Sequence, residues 1–134
     1  MAPIDSKKPV LTTGLLITSL IAAGAVAAFP KRPLVEAACF HVADELKRIG
    51  HEHPESPCQG DIAIAATYLK TAAMKIHYQR FDIALTDLGY GKGELQAIST
   101  TRPWCQTIAS KAAPFIEEVR DLKAQVAILA RVQE

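Results

Sequence analysis

Residues 33–50 read PLVEAACFHVADELKRIG, and the spacing of apolar side chains in that stretch decides the fold. Val35, Ala38, Val42, Leu46 and Ile49 recur at three- and four-residue steps, which lines them along one face of an α-helix. Glu36, Asp44, Glu45, Lys47 and Arg48 take the other faces. Pro33 suits a first helical turn, where its missing N–H would have no partner anyway. Lys47 and Arg48 near the C-terminal end complement the helix dipole, and Gly50 fits a C-cap.

The rhythm continues outward from this helix. His51 to Gly60, HEHPESPCQG, is a polar loop with two prolines. Asp61 is an expected N-cap for a helix whose stripe is Ile62, Ala65, Leu69, Ala72 and Ile76. The phase then slips to Phe81, Ala84, Leu85 and Leu88, so either one helix kinks near Tyr78 to Arg80 or two helices meet there. Gly89 and Gly91 close the block, and Tyr90-Gly91-Lys92-Gly93 reads as a turn. Glu94 to Ile98 fits one short helical turn, and Thr101 is the expected cap of a last helix. Trp104, Ile108, Phe115, Val119, Leu122, Val126 and Leu129 form that helix's stripe. Pro114 predicts a break near Ala112 or Ala113, because proline cannot donate to the preceding turn. After Pro114 the steps alternate four and three, the a/d pattern of helix packing. No segment alternates long enough to be a strand. Residues 33–134 are therefore expected to form a single all-α domain, a small antiparallel bundle of three to five helices.

Tyr68, Leu69, Ala72, Phe81, Ala84 and Leu85 resemble the aromatic and alanine pattern of one tetratricopeptide unit. A second copy is absent, and such units need about three or more repeats for stability. The pattern is therefore read as helix-pair packing, and no family is assigned.

The N-terminal segment bears on the compartment. Lys7 and Lys8 precede an uncharged run of twenty-two residues from Pro9 to Pro30, PVLTTGLLITSLIAAGAVAAFP. A basic start, an apolar middle and small residues at the end are the marks of a secretory signal. Ala25-Val26-Ala27 and Ala23-Gly24-Ala25 both fit the cleavage rule, so residues 1–27 are expected to be a signal peptide. The alternative is an uncleaved membrane anchor, since a spanning helix needs about 20 apolar residues. Lys31 and Arg32 on the far flank balance Lys7 and Lys8, which leaves an anchor's orientation weakly set. The expected location is periplasmic or secreted, with an inner-membrane anchor facing the periplasm as the alternative. In the anchored alternative, membrane contact is expected through residues 9–30.

Beyond Ala28 the chain carries as many Lys and Arg as Asp and Glu. Without a basic stripe, nucleic acid is not an expected partner. Cys39, Cys58 and Cys105 all follow the signal, and in an oxidising compartment two of three should pair. Helix rise carries the chain about 16 Å from Cys39 to Gly50, and the residues from there to Cys58 reach about 26 Å when extended. That arithmetic favours a Cys39–Cys58 bridge, with Cys39–Cys105 as the second pairing. A staple of this kind stabilises by about 2–4 kcal/mol. Redox work is the lesser reading, because C-x-x-C is absent.

His51, His53 and Cys58 share one loop and carry zinc- or copper-binding side chains. Their spacing matches no common finger or zincin pattern, and His41 points to a different helix face from Cys39. No cofactor is expected. Asp44-Glu45 and Glu117-Glu118 are helix neighbours that face apart, and no nucleophile motif is present, so the chain is not expected to be an enzyme. The expected function is that of an exported helical interaction protein of the immunity, inhibitor or envelope-assembly type, with a protein partner in the cell envelope. One alternative is a membrane-anchored small subunit of an envelope or secretion complex. The other is a periplasmic metal-binding protein using the His51–Cys58 loop. The candidate contact residues are Tyr78, Phe81, Tyr90, Lys92, Arg102 and Trp104, because Tyr, Trp and Arg are enriched at interfaces.

Overall fold

Helix α1 spans Arg32–Glu52 and carries proline in its first turn, as its sequence requires. The computed structural model describes residues 29–133. The signal or anchor expected over residues 1–27 lies outside them. Helix α2 spans Gln59–His77, α3 Phe81–Thr100, α4 Gln106–Ala112 and α5 Pro114–Gln133, with a 3-10 turn at Pro103–Cys105. Among the described residues no helix is long and apolar enough to cross a membrane.

Several local expectations are corrected by the packing. Gly50 does not cap α1, which runs two residues further. A Cβ on Gly50 would stand 3.1 Å from Ile62 Cγ2, so this glycine admits the start of α2. Asp61 does not cap α2 either. Cys58 holds that position, and Asp61 lies in the first turn, where its charge meets the positive end of the dipole. Thr101 closes α3 instead of opening a helix, with its backbone N–H donating to the Ala97 carbonyl at 3.0 Å and its Oγ1 at 2.9 Å.

The largest correction concerns Tyr90-Gly91-Lys92-Gly93, which is not a turn but the middle of α3. Glu94 to Ile98 belongs to the same helix. A Cβ on Gly91 would meet Leu69 Cδ2 at 2.7 Å, Tyr68 Cβ at 3.3 Å and the Ala65 carbonyl at 3.7 Å. The glycine is there to let the α3 backbone lie against α2.

Two helices do meet at Tyr78 to Arg80. The Arg80 N–H donates to the Lys75 carbonyl at 2.8 Å and the Gln79 N–H to the Ile76 carbonyl at 2.9 Å. With Gln79 at φ 60°, this is a Schellman closure built on glutamine where glycine is usual. The break before Pro114 also stands, with α4 ending at Ala112.

The four long helices run antiparallel. Glu36 near the start of α1 meets His77 at the end of α2, at 3.1 Å. Gln79 in the α2–α3 turn faces Gln133 at the end of α5. One end of the bundle, here the entry end, thus gathers the start of α1, the α2–α3 turn and the end of α5. The opposite end holds the α1–α2 loop, the 3-10 turn and α4, which packs on α3 and α1. The core between them is apolar throughout, and among the described residues no polar or charged residue is fully buried. Leu46, Ile62, Leu69, Ile76, Leu88 and Leu95 are each fully buried, and each contributes about 1.5–3 kcal/mol through removal from water.

Candidate interaction surface

The disulfide joins Cys58 to Cys105, with Cα atoms 5.6 Å apart. This corrects both expected pairings, Cys39–Cys58 and Cys39–Cys105. Helix α1 continues for about 20 Å beyond Cys39, and Cys58, at the N-cap of α2, stays at that far end. Cys105 arrives there from the end of α3. The bond therefore ties the α1–α2 loop to the α3–α4 connection and closes one end of the bundle.

Cys39 is free and fully buried on α1. Burial pushes its thiol up to about 12 from an ordinary 9.0, and the nearby Glu36 carboxylate adds to the effect. A thiol held protonated and out of solvent is inert. In the unfolded chain it ionises near its ordinary value, so between the two values the folded state holds the extra proton. Its stabilising contribution is complete below about pH 9 and falls by about 1.4 kcal/mol per pH unit above it. Urea unfolding at about pH 8 and about pH 10.5 checks this. The wild type is expected to lose about 1–2 kcal/mol more over that interval than Cys39→Ala.

The six candidate contact residues do not form one surface. Tyr78 lies at the entry end and is 69% exposed, whereas Phe81 beside it is 6% exposed and belongs to the core. Tyr90 and Lys92 sit midway along α3. The Tyr90 ring rests 5.4 Å from that of Tyr68 on α2, tilted by 39°, and remains 58% exposed. Arg102 and Trp104 lie at the disulfide end, about 30 Å from Tyr78 along α3. Arg102 Nη1 meets Glu94 Oε1 at 3.1 Å, and the pair is largely screened from solvent. Trp104 precedes Cys105 and is 62% exposed. Its ring therefore projects from a segment pinned on one side by an ion pair and on the other by a covalent bond. Its place in the expected helical stripe is not realised, because the 3-10 turn shifts its phase.

On the α1 surface near the same end, Arg48 bonds Glu45 at 2.8 Å and Glu52 at 2.7 Å. The hydrogen bond from Arg48 holds the Glu45 carboxyl below its usual range. All three side chains are solvated, so the triad shapes charge more than stability.

The loop proposed for metal is altered by the disulfide. Cys58 is bonded to Cys105 and offers no thiolate. His51 is exposed in the last turn of α1. His53 is mostly buried, with Nδ1 3.6 Å from Glu55 Oε2 and Nε2 without a hydrogen-bond partner. Cys58, Asp61 and Cys105 bring their ligand atoms within 4.8 Å of one another, yet the two sulfurs are joined. With the bond closed, the loop set falls to two histidines. Sequence reasoning missed Glu94, which orients Arg102, and no spacing rule could have found a pair eight residues apart across a helix end.

No protein-family model matches the chain, and neither does any curated protein or solved structure.

Proposed function

We propose that the chain is an exported helical interaction protein whose disulfide end binds a protein partner in the cell envelope. The observation that carries this reading is Trp104, the one tryptophan of the chain, held exposed beside the Cys58–Cys105 bond. Tryptophan dominates binding hot spots when it is pre-positioned, and a segment fixed at both sides loses little entropy on docking. A disulfide also suits an oxidising compartment, where such bonds persist. The role is one of binding, without catalysis or a cofactor.

Trp104→Ala is the direct test. Its melting temperature is expected to stay within a few degrees of the wild type, because the ring is outside the core. Affinity for the envelope partner is expected to fall by about 30-fold, the loss typical of a central anchor. Unchanged affinity, measured by titration with the partner captured by the wild type, rules out this surface.

A second reading, an anchored subunit of an envelope complex, is favoured by a separate observation. Among the described residues, five of the nine exposed large apolar side chains lie at the end of the bundle that follows residues 9–30 in the chain.

A further inference from the structure

We propose that the entry end of the bundle is a docking face for an anionic phospholipid bilayer. The inference rests on the anchored reading and adds to it the orientation of the domain and the groups that touch lipid.

The argument starts from chain length. The uncharged run ends at Pro30, and α1 begins at Arg32. Only Lys31 separates them. If the run occupies hydrocarbon, no linker exists to hold the bundle away from the membrane surface, and its entry end is brought to the headgroups.

The surface at that end matches this position. Among the described residues, the exposed large apolar side chains are Phe29, Leu34, Ile64, Met74, Tyr78, Ile83, Tyr90, Trp104 and Val132. Five of these nine lie at the entry end: Leu34, Tyr78, Ile83 and Val132 of the bundle itself, and Phe29, which belongs to the uncharged run. Phe29 and Leu34 line a cleft with Gln125 and Ile128 of α5. Ile83 lines a second with Gln79, Arg80 and Gln133. Apolar residues collected at one end of a domain suit a contact surface, and tyrosine favours the membrane–water boundary.

Charge completes the match. Lys31, Arg80 and Arg131 are exposed at this end, with Lys75 half-buried one turn inward. Long cationic side chains around an apolar centre let the stems lie on acyl chains while the heads meet phosphates. The acids nearby are Glu36, drawn into bonds with Arg32 and His77, and Asp82. Glu134 follows Gln133 in the sequence.

The single tryptophan supplies the test. Full-length chain is reconstituted into vesicles of phosphatidylcholine and phosphatidylglycerol at roughly three to one, with a fraction of the lipid carrying a doxyl quencher near the headgroup. Wild-type chain reports from Trp104 at the far end. The double substitution Tyr78→Trp with Trp104→Phe reports from the proposed face, and Val132→Trp with Trp104→Phe gives an independent second probe. Both positions are exposed, so the fold is expected to tolerate them. Flotation of each sample reads anchoring separately.

The expected result is flotation of all three, a blue shift and loss of about half the emission for both entry-end probes, and little quenching of Trp104. Adding Arg80→Glu and Arg131→Glu is expected to lower the quenching without changing flotation. Flotation with all probes unquenched overturns the docking face and leaves anchoring intact. Equal quenching of Trp104 overturns the orientation. Failure to float overturns anchoring and docking together.

Discussion

Removing the Cys58–Cys105 bond is expected to cost about 3–4 kcal/mol of stability. The bond spans 47 residues, and the chain-entropy argument gives about 4 kcal/mol for a closed loop of that size. For a domain of this length the loss lowers the melting temperature by roughly 15–25 °C. Thermal unfolding of wild-type protein with and without a reducing agent measures it. Cys58→Ala with Cys105→Ala should reproduce the reduced value, and adding reductant to that variant should change nothing further. Alkylation gives a second readout. Folded protein is expected to react at no cysteine, unfolded unreduced protein at Cys39 alone, and unfolded reduced protein at all three. Reaction at Cys58 or Cys105 without reductant would contradict the pairing.

Gly91→Val is expected to destabilise the fold by about 2–3 kcal/mol, since overpacking a closed core carries that cost. The new atoms arrive where Leu69 Cδ2, Tyr68 Cβ and the Ala65 carbonyl already stand. Leu69 is fully buried and has no solvent to swing into. Gly93→Ala, two residues away on the same helix, is expected to do the opposite. No atom lies within 4 Å of a Cβ there, so alanine's helix preference should add about 0.5–1 kcal/mol. Urea unfolding of the two variants separates close packing from propensity. If both stabilise, α3 does not approach α2 as described. Combining Gly91→Ala with Leu69→Ala gives a further check, because the deleted leucine makes room for the methyl and the two effects should not add.

These two features mark where the sequence could and could not be read. The apolar stripes were legible because one periodicity fixes both helix and core. Ile62, Ala65, Leu69, Ala72 and Ile76 are all fully buried, as their spacing predicts. The break at Pro114 was legible for a local reason, the proline itself. Gly91 misleads, because a glycine that reads as a turn can instead admit a neighbouring helix, whereas Gly89 meets only the Lys123 ammonium and Gly93 meets nothing, and both are simply carried within α3. Whether a neighbouring helix presses is a tertiary fact. Gly50 misleads in the same way as Gly91, since a Cβ there would press on Ile62. The disulfide is not legible from reach along the chain, because reach carries no direction: α1 takes the loop away from Cys39. Residue type alone nominates contact residues, and type cannot tell Phe81 in the core from Trp104 in solvent.

The burial of Cys39 has a consequence for the order of oxidation. Three thiols allow three pairings, and two of those use Cys39. If the chain is exported as proposed and oxidised as it emerges, Cys39 and Cys58 are presented well before Cys105. The nearer, wrong partner is thus the first to be offered. Once α1 packs against α2, the Cys39 thiol is sealed from solvent and kept protonated, and it can no longer compete. Helix packing then acts as the proofreader of the covalent bond: the fold chooses the disulfide, and the disulfide afterwards holds the fold.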